Sequence, residues 1–164
     1  MAHIEPHHGF STRCIHAGQT PDPVTGAVMP PVSFSSTYAQ SSPGEHAGFE
    51  YSRSHNPTRY AWERCIARLE GSELCESDDV TYGGFAFASG LAAIATLLDH
   101  LPANAKVVAS DDLYGGTHRL FRQVRAHSAG LRFEFVDASD PNQVADAVDA
   151  ETALIWVETP TNPM

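Results

Sequence analysis

The sequence predicts an α/β protein with a mostly parallel sheet, entered through a long extended arm. Two observations carry this. From Phe85 onward, short apolar runs alternate with helix-length segments, the order that right-handed βαβ crossovers produce. Before Gly48, by contrast, stand six of the eleven prolines and many serines, with no sustained apolar period, which suits an extended chain and not a packed layer.

The arm, Met1 to Gly48, is too long for an ordinary loop inside a compact domain. Plain disorder is one reading. Against it stand Ile15, Val28, Met29, Val32, Phe34 and Tyr38, too apolar for a solvated tail, so the arm is expected to pack on something else, with a second subunit the natural candidate. Residues 49–164 then form the first part of the α/β domain. Asn56 and Pro57 open a helix that Gly71 closes, with Trp62, Cys65, Ile66 and Leu69 at helical spacing along one face. Ser72 to Gly84 carries Glu73, Glu76, Asp78 and Asp79 without a base and reads as a solvated loop. A strand is expected around Phe85 to Ala88, a helix from Leu91 to about His100, a strand from Val107 to Ala109 and a helix from about Thr117 to His127. A strand around Phe133 to Val136, a helix from about Asn142 to Val148 and a strand from Ala153 to Val157 follow. The strands are nearly continuous apolar runs, as in parallel strands buried on both faces.

The 164 residues, 42% of them hydrophobic, suffice for one domain with a core and not for two ordinary ones. Ten scattered bases against twenty acids, a net charge of -10, argue against a nucleic-acid or anionic-membrane surface. Cys14, Cys65 and Cys75 are odd in number and lack C-x-x-C spacing, so neither a disulfide framework nor a zinc knuckle is expected. A reducing cytoplasm fits best. No apolar leader opens the chain, and the run Leu91 to Leu98 is too short to span a bilayer. His3, His7 and His8 lack a carboxylate partner, and no metal site is expected of them.

Candidate chemistry gathers at a few turns. Tyr51 and Arg53 stand two apart ahead of the first helix, where alternation sends a phenol and a guanidinium to one side of an extended segment and lets them grip a phosphate. On spacing alone a polar helix-starting loop is an equal reading. Ser89 and Gly90 join a strand end to a helix amino terminus, the place where an α/β sheet binds anions, although a simple serine cap gives the same pattern. Tyr114 precedes Gly115 and Gly116, which leave room for a flat ring to approach and stack, although a lone tyrosine in a turn is usually just half-buried. Asn162, in the turn after the last strand, offers a side-chain amide donor. Arg119, Arg122 and Arg125 recur on a helix opposite Leu120, Phe121 and Val124 and read as a solvated basic stripe. Lys106, the only lysine, starts a strand and so lies at the edge of the sheet away from ligands; it reads as a solvated strand end.

Four ordered runs, Phe49 to Arg59, Phe85 to Gly90, Asp112 to Thr117 and Glu158 to Pro163, resemble the amino-terminal part of the Cys/Met-metabolism pyridoxal-phosphate enzymes. That family includes cystathionine γ-lyase and cystathionine γ-synthase. The resemblance runs from about Thr12 to Met164. It implies the three-layer fold of the aspartate aminotransferase type, incomplete here, with pyridoxal 5'-phosphate as cofactor and self-association as a dimer of dimers. It implies that Gly90 and Leu91 hold the cofactor phosphate by backbone groups while Tyr51 and Arg53 reach the same phosphate from a neighbouring subunit. Tyr114 would stack on the cofactor ring as the catalytic tyrosine, and Asn162 would meet the ring's phenolic oxygen. Arg119 and Glu158 are neighbours of that site by analogy, Glu158 as a supporting partner.

The implied reaction is γ-elimination or γ-replacement on cystathionine or an activated homoserine. O-acylhomoserine sulfhydrylase and methionine γ-lyase chemistry of the same family remain open. The ring-facing Asp and the Schiff-base Lys of the family match no position here, so the 164 residues alone are expected to be an inactive piece; a non-catalytic product with a partial phosphate site is the other reading. The acidic loop is also longer than the family's usual link. A dinucleotide-binding domain would share the βαβ pattern but needs a G-x-G-x-x-G that is absent.

Overall fold

The computed structural model describes residues 9–71 and 83–161. His3, His7 and His8, most of the acidic loop, Cys75 and Asn162 lie outside the described residues. The chain clusters into two compact units, one running to Ala86 and the other from Phe87.

In the first unit, α1 (Phe10–His16) packs on α2 (Pro57–Leu69). Asn56 caps α2 by accepting from the backbone N–H of Thr58 and Arg59 at 2.9 and 3.1 Å, with Pro57 at the first helical position, where its missing N–H costs nothing. The large residues of α2 do not form its buried face. Trp62 and Ile66 are 56% and 42% exposed, while Ala61 and Ala67 are buried. Gly18 supplies the reason. Its backbone lies against Ala61, Arg64 and Cys65 so closely that only small residues fit between the segments.

The arm is not extended throughout. Besides α1 it holds a short antiparallel pair, β1 (Gln40–Ser42) with β2 (Glu45–His46). Side-chain bonds fasten it to the start of α2: Ser33 N–H donates to Thr58 Oγ1 at 2.9 Å, Thr58 Oγ1 to the Pro31 carbonyl at 3.0 Å, and Asn56 Nδ2 to the Ser33 carbonyl at 3.2 Å. Tyr38, Phe49 and Tyr60 pack in series with their rings tilted, centroids 5.4 and 5.8 Å apart. Phe34 nevertheless remains 93% exposed, with Val28, Met29 and Val32 outward as well.

The second unit is a three-stranded parallel sheet, β3 (Lys106–Ser110) between β4 (Arg132–Val136) and β5 (Thr152–Trp156). The register sets Ser110 beside Val136 and Ala109 beside Trp156, so the carboxyl ends of the strands share one edge. Only β3 is buried on both faces. β4 and β5 alternate, and Ile155 is 48% exposed, as expected where a strand has only one neighbour. The strand expected at Phe85 to Ala88 does not form. Instead of joining a ladder, Ala86 N–H donates to Glu63 Oε1 at 2.8 Å.

Helix α3 (Gly90–Asp99) precedes β3. Between β3 and β4 a helical run continues from α4 (Gly115–Arg119) through a π-helical stretch (Leu120–Arg125) into α5 (Ala126–Ser128). α6 (Pro141–Ala147), capped by Asp140 Oδ1 accepting from Asn142 N–H at 2.9 Å, leads into β5. Leu98, Ala109, Leu113, Phe121 and Leu131 form the core, edged by Phe133, Phe135, Leu154 and Trp156.

Of the three arginines on the long helical run, Arg125 departs from the expected solvated stripe, while Arg119 and Arg122 are exposed. Arg125 pairs with Asp99 at 2.9 Å and donates to the Ala95 carbonyl at 3.2 Å, tying the run to α3. Arg122 lies over the Phe135 ring at 4.6 Å. Arg119 stays exposed and makes no ion pair among the described residues.

Lys106 likewise is not solvated. At the amino edge of the sheet its ammonium meets Asp149 and Glu134, each at 2.8 Å, and donates to the Ala147 carbonyl at 2.7 Å. The bonds to Asp149 and then Glu134 raise the lysine above its ordinary value of 10.5, and the bonds from Lys106 and from Glu151 N–H hold Asp149 below 3.8. A depressed carboxylate stabilises above its unfolded value and loses that contribution as pH falls through its folded one. A raised lysine loses its contribution only as pH climbs past its folded value. Lys106→Met is therefore expected to lower stability across the neutral range and to flatten both limbs of the stability profile. Unfolding midpoints measured from pH 2 to pH 11 test this; unchanged limbs would contradict it.

Candidate functional site

The candidate site lies at the carboxyl edge of the sheet. Ser89 opens α3 by accepting from Ala92 N–H at 3.2 Å, and Ala93 N–H reaches the Ser89 carbonyl at 3.2 Å. The N–H groups of Gly90 and Leu91, in the first turn, have no intrahelical acceptor. Among the described residues nothing else accepts from them. Nothing lies within 4 Å of where a Cβ on Gly90 would sit, and Leu91 is 40% exposed. Two orphan donors at an open helix start, with the helix dipole behind them, suit a phosphate oxygen.

Tyr114 begins the helical run that follows β3, its residue 51% exposed. The room expected above both glycines is in part already taken. A Cβ on Gly116 would meet Tyr114 Cε1 at 2.5 Å, so the tyrosine ring rests on the backbone of its own turn, and the glycine permits it. Gly115 has open space.

Two bonds join this turn to the segment after β5. Glu158 Oε2 accepts from Tyr114 N–H at 2.8 Å, and Thr161 Oγ1 donates to Asp112 Oδ2 at 2.6 Å. Glu158 Oε1 also accepts from Thr117 Oγ1 at 2.7 Å and from Trp156 Nε1 at 3.2 Å. Glu158 thus bonds the Tyr114 turn through both carboxylate oxygens. Thr117, fully buried, and Trp156 escaped the sequence reading. Thr117 lies 41 residues from Glu158, and only the parallel pairing of β3 and β5 brings it to the Trp156–Glu158 segment.

Tyr51 and Arg53 belong to the first unit. The expected grouping of phenol and guanidinium is present, with the guanidinium carbon 4.8 Å from the Tyr51 ring centre. Its origin is a turn and not an extended strand: Ser54 and His55 N–H both donate to the Tyr51 carbonyl, at 3.1 and 2.9 Å. Tyr51 is 39% exposed. Of the cysteines, Cys14 and Cys65 are free. Burial, then the charge of nearby Cys14, pushes the Cys65 thiol up, which is the reverse of an activated nucleophile.

Residues 11–164 match the family model described as Cys/Met metabolism PLP-dependent enzyme. The chain belongs to this family. Its relatives include a cystathionine beta-lyase of Coxiella burnetii, 58% identical over 154 residues, which cover 94% of this chain and 38% of the relative. The cystathionine gamma-lyase of Homo sapiens is 48% identical over 155 residues, covering 94% and 36%. Among solved structures, that of metB from Corynebacterium glutamicum superposes with a TM-score of 0.84 at 42% identity, covering 96% of this chain and 39% of that one. The cystathionine gamma-lyase of Lactobacillus plantarum complexed with L-serine gives 0.82 at 41%, covering 95% and 38%. The fold is thus that of a PLP-dependent α/β domain in part, since the chain spans under half the length of these relatives. The family's cofactor is pyridoxal phosphate, and the orphan donors of Gly90 and Leu91 fit its phosphate. No helix among the described residues is long and apolar enough to cross a membrane.

Proposed function

We propose that the full-length protein carrying this segment is a transsulfuration enzyme, cleaving or forming the carbon–sulfur bond of cystathionine by γ-elimination or γ-replacement. The observation that carries this reading is the open start of α3, whose two unpaired N–H groups share an edge of the fold with the Tyr114 turn. Gly90 and Leu91 hold the cofactor phosphate, Tyr114 stacks on its ring, and Asn162 meets its phenolic oxygen. Tyr51 and Arg53 complete the phosphate site of a neighbouring copy, and Arg119 borders the substrate. Pyridoxal phosphate supplies an electron sink for charge developing at the substrate carbons. The chain's own groups bind and orient, and Tyr114 is the group proposed to move a proton at the substrate.

The outward Phe34, Val28, Met29 and Val32 of the arm support self-association into a dimer of dimers. The free thiols of Cys14 and Cys65 support a cytoplasmic location.

The 58% identical cystathionine beta-lyase favours a second reading, β-elimination. Incubating the full-length protein with cystathionine separates them: γ-elimination yields cysteine, 2-oxobutanoate and ammonia, whereas β-elimination yields homocysteine, pyruvate and ammonia. Failure to bind pyridoxal phosphate, or to consume either cystathionine or an activated homoserine with cysteine, would overturn the proposal.

A further inference from the structure

We infer that Thr117, Trp156 and Glu158 form a positioning device that sets the Tyr114 ring at the angle needed to receive the cofactor. The inference rests on the reading of Tyr114 as the stacking residue. A helix amino terminus needs acceptors for its first N–H groups, and a side chain at the cap position normally provides one. Here the cap residue is Tyr114 itself, whose side chain makes no capping bond. The acceptor comes from the segment after β5. Glu158 bonds Tyr114 N–H through one carboxylate oxygen and the Thr117 hydroxyl through the other, so it grips the turn at its first residue and three residues on.

Trp156 holds the carboxylate in turn. Its indole N–H donates to Glu158 Oε1 at 3.2 Å, and its ring meets Phe121 edge-on at 6.0 Å, which anchors the indole in the core. The carboxylate therefore has fixed partners at both oxygens. With the backbone so clamped, the Tyr114 ring lies over Gly116, which bears no side chain to displace it. Glu158 has no need to touch cofactor or substrate. It acts on them through Tyr114.

An acceptor with two oxygens is required, because three donors converge on it. A glutamine offers one acceptor oxygen and turns an N–H₂ toward the other donors. Glu158→Gln should loosen one side of the grip. Thr117→Val removes only the hydroxyl from a fully buried site, at nearly constant shape, and Thr117→Ser restores it.

The test uses the full-length protein loaded with pyridoxal phosphate, reading cofactor affinity and the visible circular dichroism of the bound cofactor, which reports ring orientation. Glu158→Gln and Thr117→Val are expected to weaken cofactor affinity roughly tenfold and to diminish the dichroic band per bound cofactor. Thr117→Ser should retain both. A merely stabilising role would lower the melting temperature and leave the band per bound cofactor unchanged. That result in the two variants, with Tyr114→Ala still altering the band, overturns the inference alone. If Tyr114→Ala leaves the band as it was, the stacking role falls and the inference with it. Should Glu158→Gln fail to fold, the Thr117 pair decides.

Discussion

Phe121→Ala is expected to cost about 3–5 kcal/mol of folding stability. Phe121 is fully buried in the π-helical stretch, stacks on Phe133 with centroids 4.5 Å apart and meets Trp156 edge-on. Truncation leaves a cavity where the long helical run presses on the sheet, bounded by Leu98, Ala109, Leu113 and Leu131 of the same cluster. Of its neighbours in that stretch, Leu120 only edges the cluster and Val124 is 45% exposed, so neither takes the place of the ring. Because the lost ring also supports Trp156, the damage should extend to the grip on Tyr114. Urea unfolding of wild type and variant measures the first effect, and Trp156 fluorescence in a Trp62→Phe background measures the second. A loss under about 1 kcal/mol would place Phe121 outside the core, since large core truncations cost several times that.

The elements that were legible in the sequence are those whose signal is local. Asn56 and Pro57 announce α2 because the cap and the first turn are made by neighbouring residues. β3, β4 and β5 fall where apolar runs fall, within a residue or two. Failures have one source. Phe85 to Ala88 has the composition of a strand, yet a strand needs a ladder partner, and the nearest acceptor here is the carboxylate of Glu63. Trp62 and Ile66 obey helical spacing, but spacing does not say which face is inside; the close approach of Gly18 selected the small residues. The strand start fixes Lys106 at the amino edge, while its partners Glu134 and Asp149 lie 28 and 43 residues onward and are invisible to a local reading. The site behaves alike: Gly90 and Tyr114 stand in recognisable runs, whereas Thr117, Trp156 and Glu158 become one unit only after β3 and β5 pair. The Tyr51–Arg53 grouping was foreseen for an incomplete reason, since a turn creates it.

Gly18→Ala should be costly for a reason that involves two helices. Gly18 has φ of 72°, a left-handed conformation costing an L residue about 1–2 kcal/mol. An added Cβ would also stand 2.4 Å from Cys65 N, 2.7 Å from Arg64 C and 2.9 Å from Ala61 O. All three are backbone atoms of a capped helix and cannot rotate aside, so α1 must lift from α2, with an overpacking cost of about 1–3 kcal/mol. The sum is about 2–5 kcal/mol. Gly26 provides the control, having φ of 74° and nothing within 4 Å; Gly26→Ala carries only the conformational part. Urea midpoints of the two variants thus separate strain from collision. Equal losses would mean that α1 does not bear on α2. The expected inequality has a functional corollary, because the Tyr51 turn leads directly into the cap of α2, and Arg59 on that helix donates to the Ser54 carbonyl within the turn. Lifting the helix should therefore loosen the Tyr51–Arg53 pair, and, given the phosphate role proposed for that pair, Gly18→Ala should weaken pyridoxal-phosphate binding by the full-length protein while Gly26→Ala leaves it unaltered.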